Sequence, residues 1–184
     1  MQIKLADIRD IRGAGRPYPA LLRHLGVQFS DGHTISVGDM IAAIGLDDTL
    51  DALPNSEAYR EFRAAVAIQV VPFYEAHQNG DGRLRLLVEQ MRDSRSAWHK
   101  MHQMQIMSLR SQLRMEHSGM DRGPAFLAIE SAGASGIWET VHRAAQALAW
   151  VQSGGAPHFD MVTREKEAFA PLLVDIYSMA GGAG

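Results

Sequence analysis

The chain has 184 residues, a net charge of −3 and no cysteine. At this length it can bury a sizeable core without a covalent staple, and the lack of cysteine excludes disulfides, thiolate zinc sites and thiol nucleophiles. No apolar run approaches the ~18 residues of a membrane span, and the start MQIKLADIRD has no leader-like apolar segment, so a cytoplasmic protein is expected.

The charges are segregated along the chain. Residues 24–59 carry Asp31, Asp39, Asp47, Asp48, Asp51 and Glu57 with no Lys or Arg, a net of −6. Residues 83–114 carry seven basic residues against Glu89 and Asp93, a net of +5. Such asymmetry informs about partners more than about fold. Either the acidic part packs near the basic one, or an acidic face is offered to a basic partner such as a nucleic-acid-binding protein. The basic residues form no zinc-finger, RNP or KH pattern, so direct binding of nucleic acid is not expected.

In chain order, Ile3 and Leu5 suggest a short strand, and Leu5, Ile8 and Ile11 continue at helical spacing up to Gly13. Gly13 to Pro19 (GAGRPYP) is expected to be a loop; it has neither the context of a dinucleotide fingerprint nor that of a P-loop. Ala20 to Leu25 suggests a helix closed by Gly26. Val27 and Phe29, the Asp31-Gly32 turn, then Ile35 and Val37 spell a β-hairpin, which must lie on a helix or pair with the N-terminal strand. Ser36 with Asp39 resembles a capping box for a helix over 38–44, and Gly45 separates it from a second short helix ending near Leu53. Ser56 is expected to cap a helix reaching Gln78, kinked near Ile68 by Pro72. Asn79-Gly80 closes it, and Asp81 caps the next helix.

Asp81 to His117 contains no proline and a single glycine, Gly82, and predicts one central helix roughly 50 Å long. Its main stripe is Leu84, Leu87, Val88, Met91, Trp98, Ile106, Leu109 and Leu113, interrupted by Arg95 and His102. Leu86, Met101, Met104 and Met115 form a second ridge, which needs its own cover: other helices of the chain, a second copy or a target. Thioethers and imidazoles of this helix would suit copper, yet they point in many directions, and no metal or other cofactor is expected. Beyond a loop at 118–123, Pro124 starts a short helix, Ser135 starts one reaching Val151 with a Glu139–Arg143 pair, and Thr163 starts a last helix bent by Pro171. The expectation is therefore a mainly α chain: an irregular helical bundle around one long central helix, with a small N-terminal β-hairpin. Residues 1–180 form a single domain, in which an acidic, hairpin-containing lobe (1–53) packs on helices 56–180, and 181–184 form a flexible tail.

The run Ala65 to Ser94, AVAIQVVPFYEAHQNGDGRLRLLVEQMRDS, resembles a segment of helical bacterial immunity-type proteins. The matching positions are Pro72-Phe73-Tyr74-Glu75, Asp81-Gly82-Arg83 and Leu87 to Glu89. The proline of the family's Asp-Arg-Pro-Arg-type turn and its Ala-rich repeats are absent. The resemblance implies a non-catalytic helical protein that binds and neutralises another protein.

Nucleophile–base pairs such as Ser118 with His117, or Ser135 with Glu139 and His142, lie in no recognised catalytic context. The functional expectation is a protein-binding inhibitor of immunity or phage/plasmid anti-defence type. Its partner surface would be Asp39, Asp47, Asp48 and Asp51 together with Met101 and Met104, with a homodimer as another use of the Met ridge. The alternative is a small-ligand binder or enzyme with a pocket around Arg95, Trp98 and His102, where polar groups on an apolar stripe need partners. Exposure of the acidic lobe and the Met ridge would favour the binder.

Overall fold

The computed structural model describes residues 2–12, 17–30, 32–92, 96–116 and 123–181. The chain divides into two compact units, Met1–Tyr59 with Ala170–Gly184, and Arg60–Phe169.

The first unit opens with strand β1 (Ile3–Lys4) and helix α1 (Leu5–Arg12). Helix α2 (Pro17–Leu25) begins earlier than the expected loop allowed. Pro17 and Pro19 fall in its first turn, where a missing N–H costs nothing because those donors have no intrahelical acceptor. Gly26, at φ +67°, ends it, and the Val27 amide bonds back to the Leu22 carbonyl in the 6→1 pattern of a Schellman cap. Strand β2 (Thr34–Ile35) pairs antiparallel with β1, Ile3 opposite Ile35. The return strand thus takes the N-terminal strand as its partner. Val27 to Ser30 is not a strand, and Phe29 is 74% exposed, whereas Ile3 and Ile35 are buried. Pairing β2 with β1 buries an isoleucine from each strand, which a local hairpin through Phe29 would not.

Helix α3 (Val37–Ala52) is two helical segments joined at Gly45, whose φ of 79° is the left-handed break expected there. Ser36 caps it, accepting the Asp39 amide at 3.1 Å and donating its hydroxyl to the Asp39 carboxylate at 2.7 Å. Helix α11 (Ala170–Gly181) packs on α3 through Leu173, Ile176 and Tyr177. Pro171 lies in its first turn, so the proline starts a new helix instead of bending one.

The unit boundary falls inside helix α4 (Glu57–Ala67), which Ser56 caps through the Tyr59 amide. The kink expected from Pro72 is a full break. Gln69 and Val70 make i→i−3 bonds, and α5 (Val71–His77) restarts with the proline in its first turn. In the second unit follow α6 (Arg83–Gln90), α7 (Ser96–Glu116), α8 (Pro124–Gly133), α9 (Ile137–Ser153) and α10 (Phe159–Glu167).

The one helix expected over 81–117 is two. At its C-terminus α6 tightens, with Met91 and Arg92 donating to Val88 and Glu89, and α7 returns antiparallel beside it, so that Arg83 meets Gln112 and Gln90 shares a groove with Gln105. Reversal lets Leu87 and Leu109 cover one another, which a straight helix cannot do.

The longest helix, α7, packs against α8, the centre of this unit. Ala125 to Ile129, Ser131 and Ala132 of α8 are buried, with α5, α6, α7 and α9 around it. A helix apolar around most of its circumference belongs inside, and Glu130, its one charged residue, stays half-buried. Small residues set the spacing: Ala144, Ala145, Ala147 and Ala149 of α9 are buried, and Gly133 lies against Ile106 of α7.

Helix α9 starts at Gly136 rather than at a Ser135 cap, and Arg143 donates to Gln146 instead of Glu139. Helix α10 begins after His158, leaving Thr163 in its interior. Gly136 and His158, both extended, are the residues that immediately precede the two first turns.

A methyl group added at Gly133 would overlap Ile106 Cγ2. Gly133→Ala should therefore destabilise the fold by about 1–3 kcal/mol in urea unfolding. Gly155→Ala, where nothing lies within 4 Å of the new atom, should stay within about 0.5 kcal/mol of wild type.

Candidate interaction surfaces

A knot of hydrogen bonds positions the α6–α7 pair. After α5, Asn79 (φ 51°) and Gly80 (φ 87°) reverse the chain in left-handed conformations and deliver Asp81 to the start of α6. The Asp81 carboxylate accepts the Tyr74 hydroxyl at 2.8 Å, the Arg83 amide at 3.0 Å and Arg83 Nε at 2.9 Å. Arg83 Nη2 then donates to Gln112 Oε1 of α7 at 2.9 Å. Beside it Arg85 grips Glu75 bidentately at 2.7 and 2.9 Å, and Arg92 pairs with Glu61 at 2.8 Å. Three arginines of the basic stretch are thus matched by acids of their own unit.

Arg83, foremost, holds the Asp81 carboxyl well below the usual carboxylate range, with help from Tyr74. Burial, then the Asp81 carboxylate, pushes the Tyr74 phenol up to about 12. The Glu75 carboxyl is lowered by its hydrogen bonds from Arg85.

Between α6 and α7 runs a groove of about 190 Å³, floored by Leu87 and Leu109 and edged by Leu86, Gln90, Gln105 and Ser108. Of the main stripe expected from the sequence, Leu84, Leu87, Val88, Ile106 and Leu109 are buried and Met91 is half-buried, while the side chains of Trp98 and Leu113 lie outside the described residues. The second ridge is outside. Leu86 is 58% exposed, Met101 52%, Met104 71% and Met115 79%, and Met107 joins them at 63%. Placed at 100° per residue, Met101, Met104, Ser108, Ser111 and Met115 span one face of α7, opposite Ile106 and Leu109. None of these five is charged.

In the first unit Asp39, Asp47, Asp48 and Asp51 are all exposed. Asp39 is engaged with its cap, before the Gly45 break. Asp47, Asp48 and Asp51 share one flank of the segment beyond it, since their spacing keeps them within about 100° on a helix wheel.

Arg95 and the side chains of Trp98 and His102 lie outside the described residues, as do Ser118 and His117. Ser135 makes long contacts of 3.4 and 3.5 Å to Glu139 through its amide and hydroxyl, while the His142 ring stacks on Trp138 at 4.8 Å. Lys166, 9% exposed, lies over the other partner of that stack, 5.9 Å from the Trp138 ring. Sequence reasoning also missed Arg63, which donates to the Ala134 carbonyl and to Thr140 Oγ1 at 3.2 Å, tying α4 to the α8–α9 turn. No local pattern signals a bond between residues more than 70 positions apart.

No family model, no curated protein and no solved structure matches this chain. Among the described residues no helix is long and apolar enough to cross a membrane.

The Asp81 knot sets a pH dependence of stability. A lowered folded-state carboxyl pKa stabilises the fold above the unfolded value of about 4, and that contribution is lost as pH falls through the folded value. The raised Tyr74 pKa acts at the other limb: the unfolded chain ionises first, so stability falls as pH rises from about 10 to about 12. Asp81→Asn should cost about 1–2 kcal/mol at neutral pH, with the gap from wild type closing in acid. Tyr74→Phe should soften the alkaline loss. Thermal unfolding midpoints across pH measure both.

Proposed function

We propose that this chain is a non-catalytic protein-binding inhibitor of immunity or anti-defence type, which meets other proteins through two surfaces. The observation that carries the reading is the outer face of α7, where Met101, Met104, Met107 and Met115 are each more than half exposed. Large apolar side chains gathered on one exposed face mark contact sites, and methionine suits adaptable ones because it is unbranched and polarizable. The second surface is the acidic flank of α3, from a stretch of 36 residues without a Lys or Arg. It suits a basic partner, including a protein that itself binds nucleic acid, through steering and rim contacts. The inhibitor class rests on the likeness of residues 65–94 to immunity-type proteins, whose matched positions Tyr74, Glu75, Asp81 and Arg83 build the knot that fixes α6 beside α7.

The test is affinity capture from the native host's extract at low and high salt, comparing wild type with the Asp47→Lys, Asp48→Lys, Asp51→Lys triple variant. One stoichiometric protein is expected, released by salt, with capture by the triple variant reduced about tenfold or more while its circular dichroism remains that of a folded helical protein. Unchanged capture and salt dependence would reduce the acidic flank to a solvated surface.

A further inference from the structure

We propose that the outer face of α7 is a self-association seam, closed by the same helix of a second copy of this chain. The inference rests on the reading of that face as a protein-contact surface and names its occupant.

The exposed residues Met101, Met104, Ser108, Ser111 and Met115 succeed one another by three, four, three and four positions. This is the a–d repeat of a two-stranded coiled coil, in which knobs from one helix enter holes on an equivalent helix. The stripe stays free of charge through two heptads, although Lys100, Arg110, Arg114 and Glu116 belong to the same segment of sequence. The opposite face of α7 is spent on its own unit, with Ile106 against Gly133 of α8, so a second helix can reach the seam without disturbing the core.

The seam's composition fits a copy of itself. None of its five positions is charged, so two seams can meet without burying like charges, the usual obstacle to pairing identical surfaces. Ser108 stands midway, seven residues from Met101 and seven from Met115. In a parallel pair about a two-fold axis along the seam, each position meets its own copy, so Ser108 meets Ser108 at the middle. Small side chains at Ser108 and Ser111 let the helices approach, and the methionines on either side fill the flanks. Such isologous two-fold contacts are the commonest route to oligomers.

Size sets the strength. From Met101 to Met115 the seam is about 21 Å long. With Met107 and Leu86 at its margins, two copies would bury on the order of 1,000 Å² in total, the lower limit for a specific interface. The dimer should accordingly dissociate in the micromolar range, forming and parting with concentration.

Sedimentation velocity over a concentration series tests this. Wild type should pass from monomer to dimer, and Met101→Glu with Met104→Glu should weaken the dimer at least tenfold without changing its melting, because both positions are exposed. The cysteine-free background allows a second readout. Ser108→Cys should oxidise to a disulfide-linked pair much faster than Asp160→Cys, an exposed site on α10. Monomeric wild type up to about 100 μM, well above a micromolar dissociation constant, would overturn the proposal. So would a dimer indifferent to the glutamates, Ser108→Cys coupling no faster than the control, or a monomer whose seam binds only a foreign helix. Failure here is separable from failure of the proposed function. If the glutamate variant is monomeric and still captures the target, pairing and inhibition use different surfaces. If pairing holds while the α3 triple variant captures as wild type does, the acidic face loses its role and the seam remains.

Discussion

The carboxylate of Asp81 is the constraint on which the second unit's outer surface depends. It collects the Tyr74 hydroxyl from α5 and the Arg83 guanidinium from α6, and Arg83 carries the connection on to Gln112 of α7. Three helices are thereby fixed in one arrangement by charge-assisted hydrogen bonds, which are stronger and more directional than neutral ones. With α6 held antiparallel to α7, Leu87 and Leu109 close on each other, a groove remains between the helices, and the Met-bearing side of α7 is turned to solvent. Exposure of that side is a consequence of the packing. Ile106 and Leu109 take the inner side, where Gly133 of α8 lies against Ile106.

The inner half of this arrangement explains why α8 sits where it does. Seven of its ten residues are buried, Glu130 staying half-buried, with α5, α6, α7 and α9 around it. The polar work at its end is done from a distance by Arg63, while Ser131 donates to the Thr140 carbonyl at 2.9 Å. Lys166 lies in a nearly buried place beside the Trp138 face, where a cation–π attraction partly offsets its lost hydration.

Local chemistry was legible in the sequence and long-range choice was not. Ser36, Gly26, Gly45, Ser56 and Pro124 act within a few residues of themselves, and each bounds a helix as its side chain or missing side chain requires. The mainly α class with a small strand pair was readable for the same reason. The reversal between α6 and α7 was hidden because no Gly or Pro marks it, and because Leu84, Leu87, Val88 and Met91 stay in phase with Ile106 and Leu109 as though one helix continued. The strand pairing was half legible: Ile35 was read as a strand residue, but the choice of Ile3 over Phe29 as its neighbour depends on a contact 32 positions away. The candidate surfaces were visible as a Met ridge and an acidic run. Their exposure could not be read, since periodicity reports that a face exists and leaves open what covers it.

If the outer side of α7 is where this chain meets protein, peroxide footprinting of methionine will report it. Exposed thioethers oxidise and buried ones do not. In dilute pure protein Met101, Met104, Met107 and Met115 should oxidise quickly and Met40, fully buried, should not. In concentrated protein or native extract the same four should become protected, with Met179, exposed in α11, as the unprotected reference. Equal oxidation of all five exposed methionines under every condition would mean that α7 faces only water and meets no protein there.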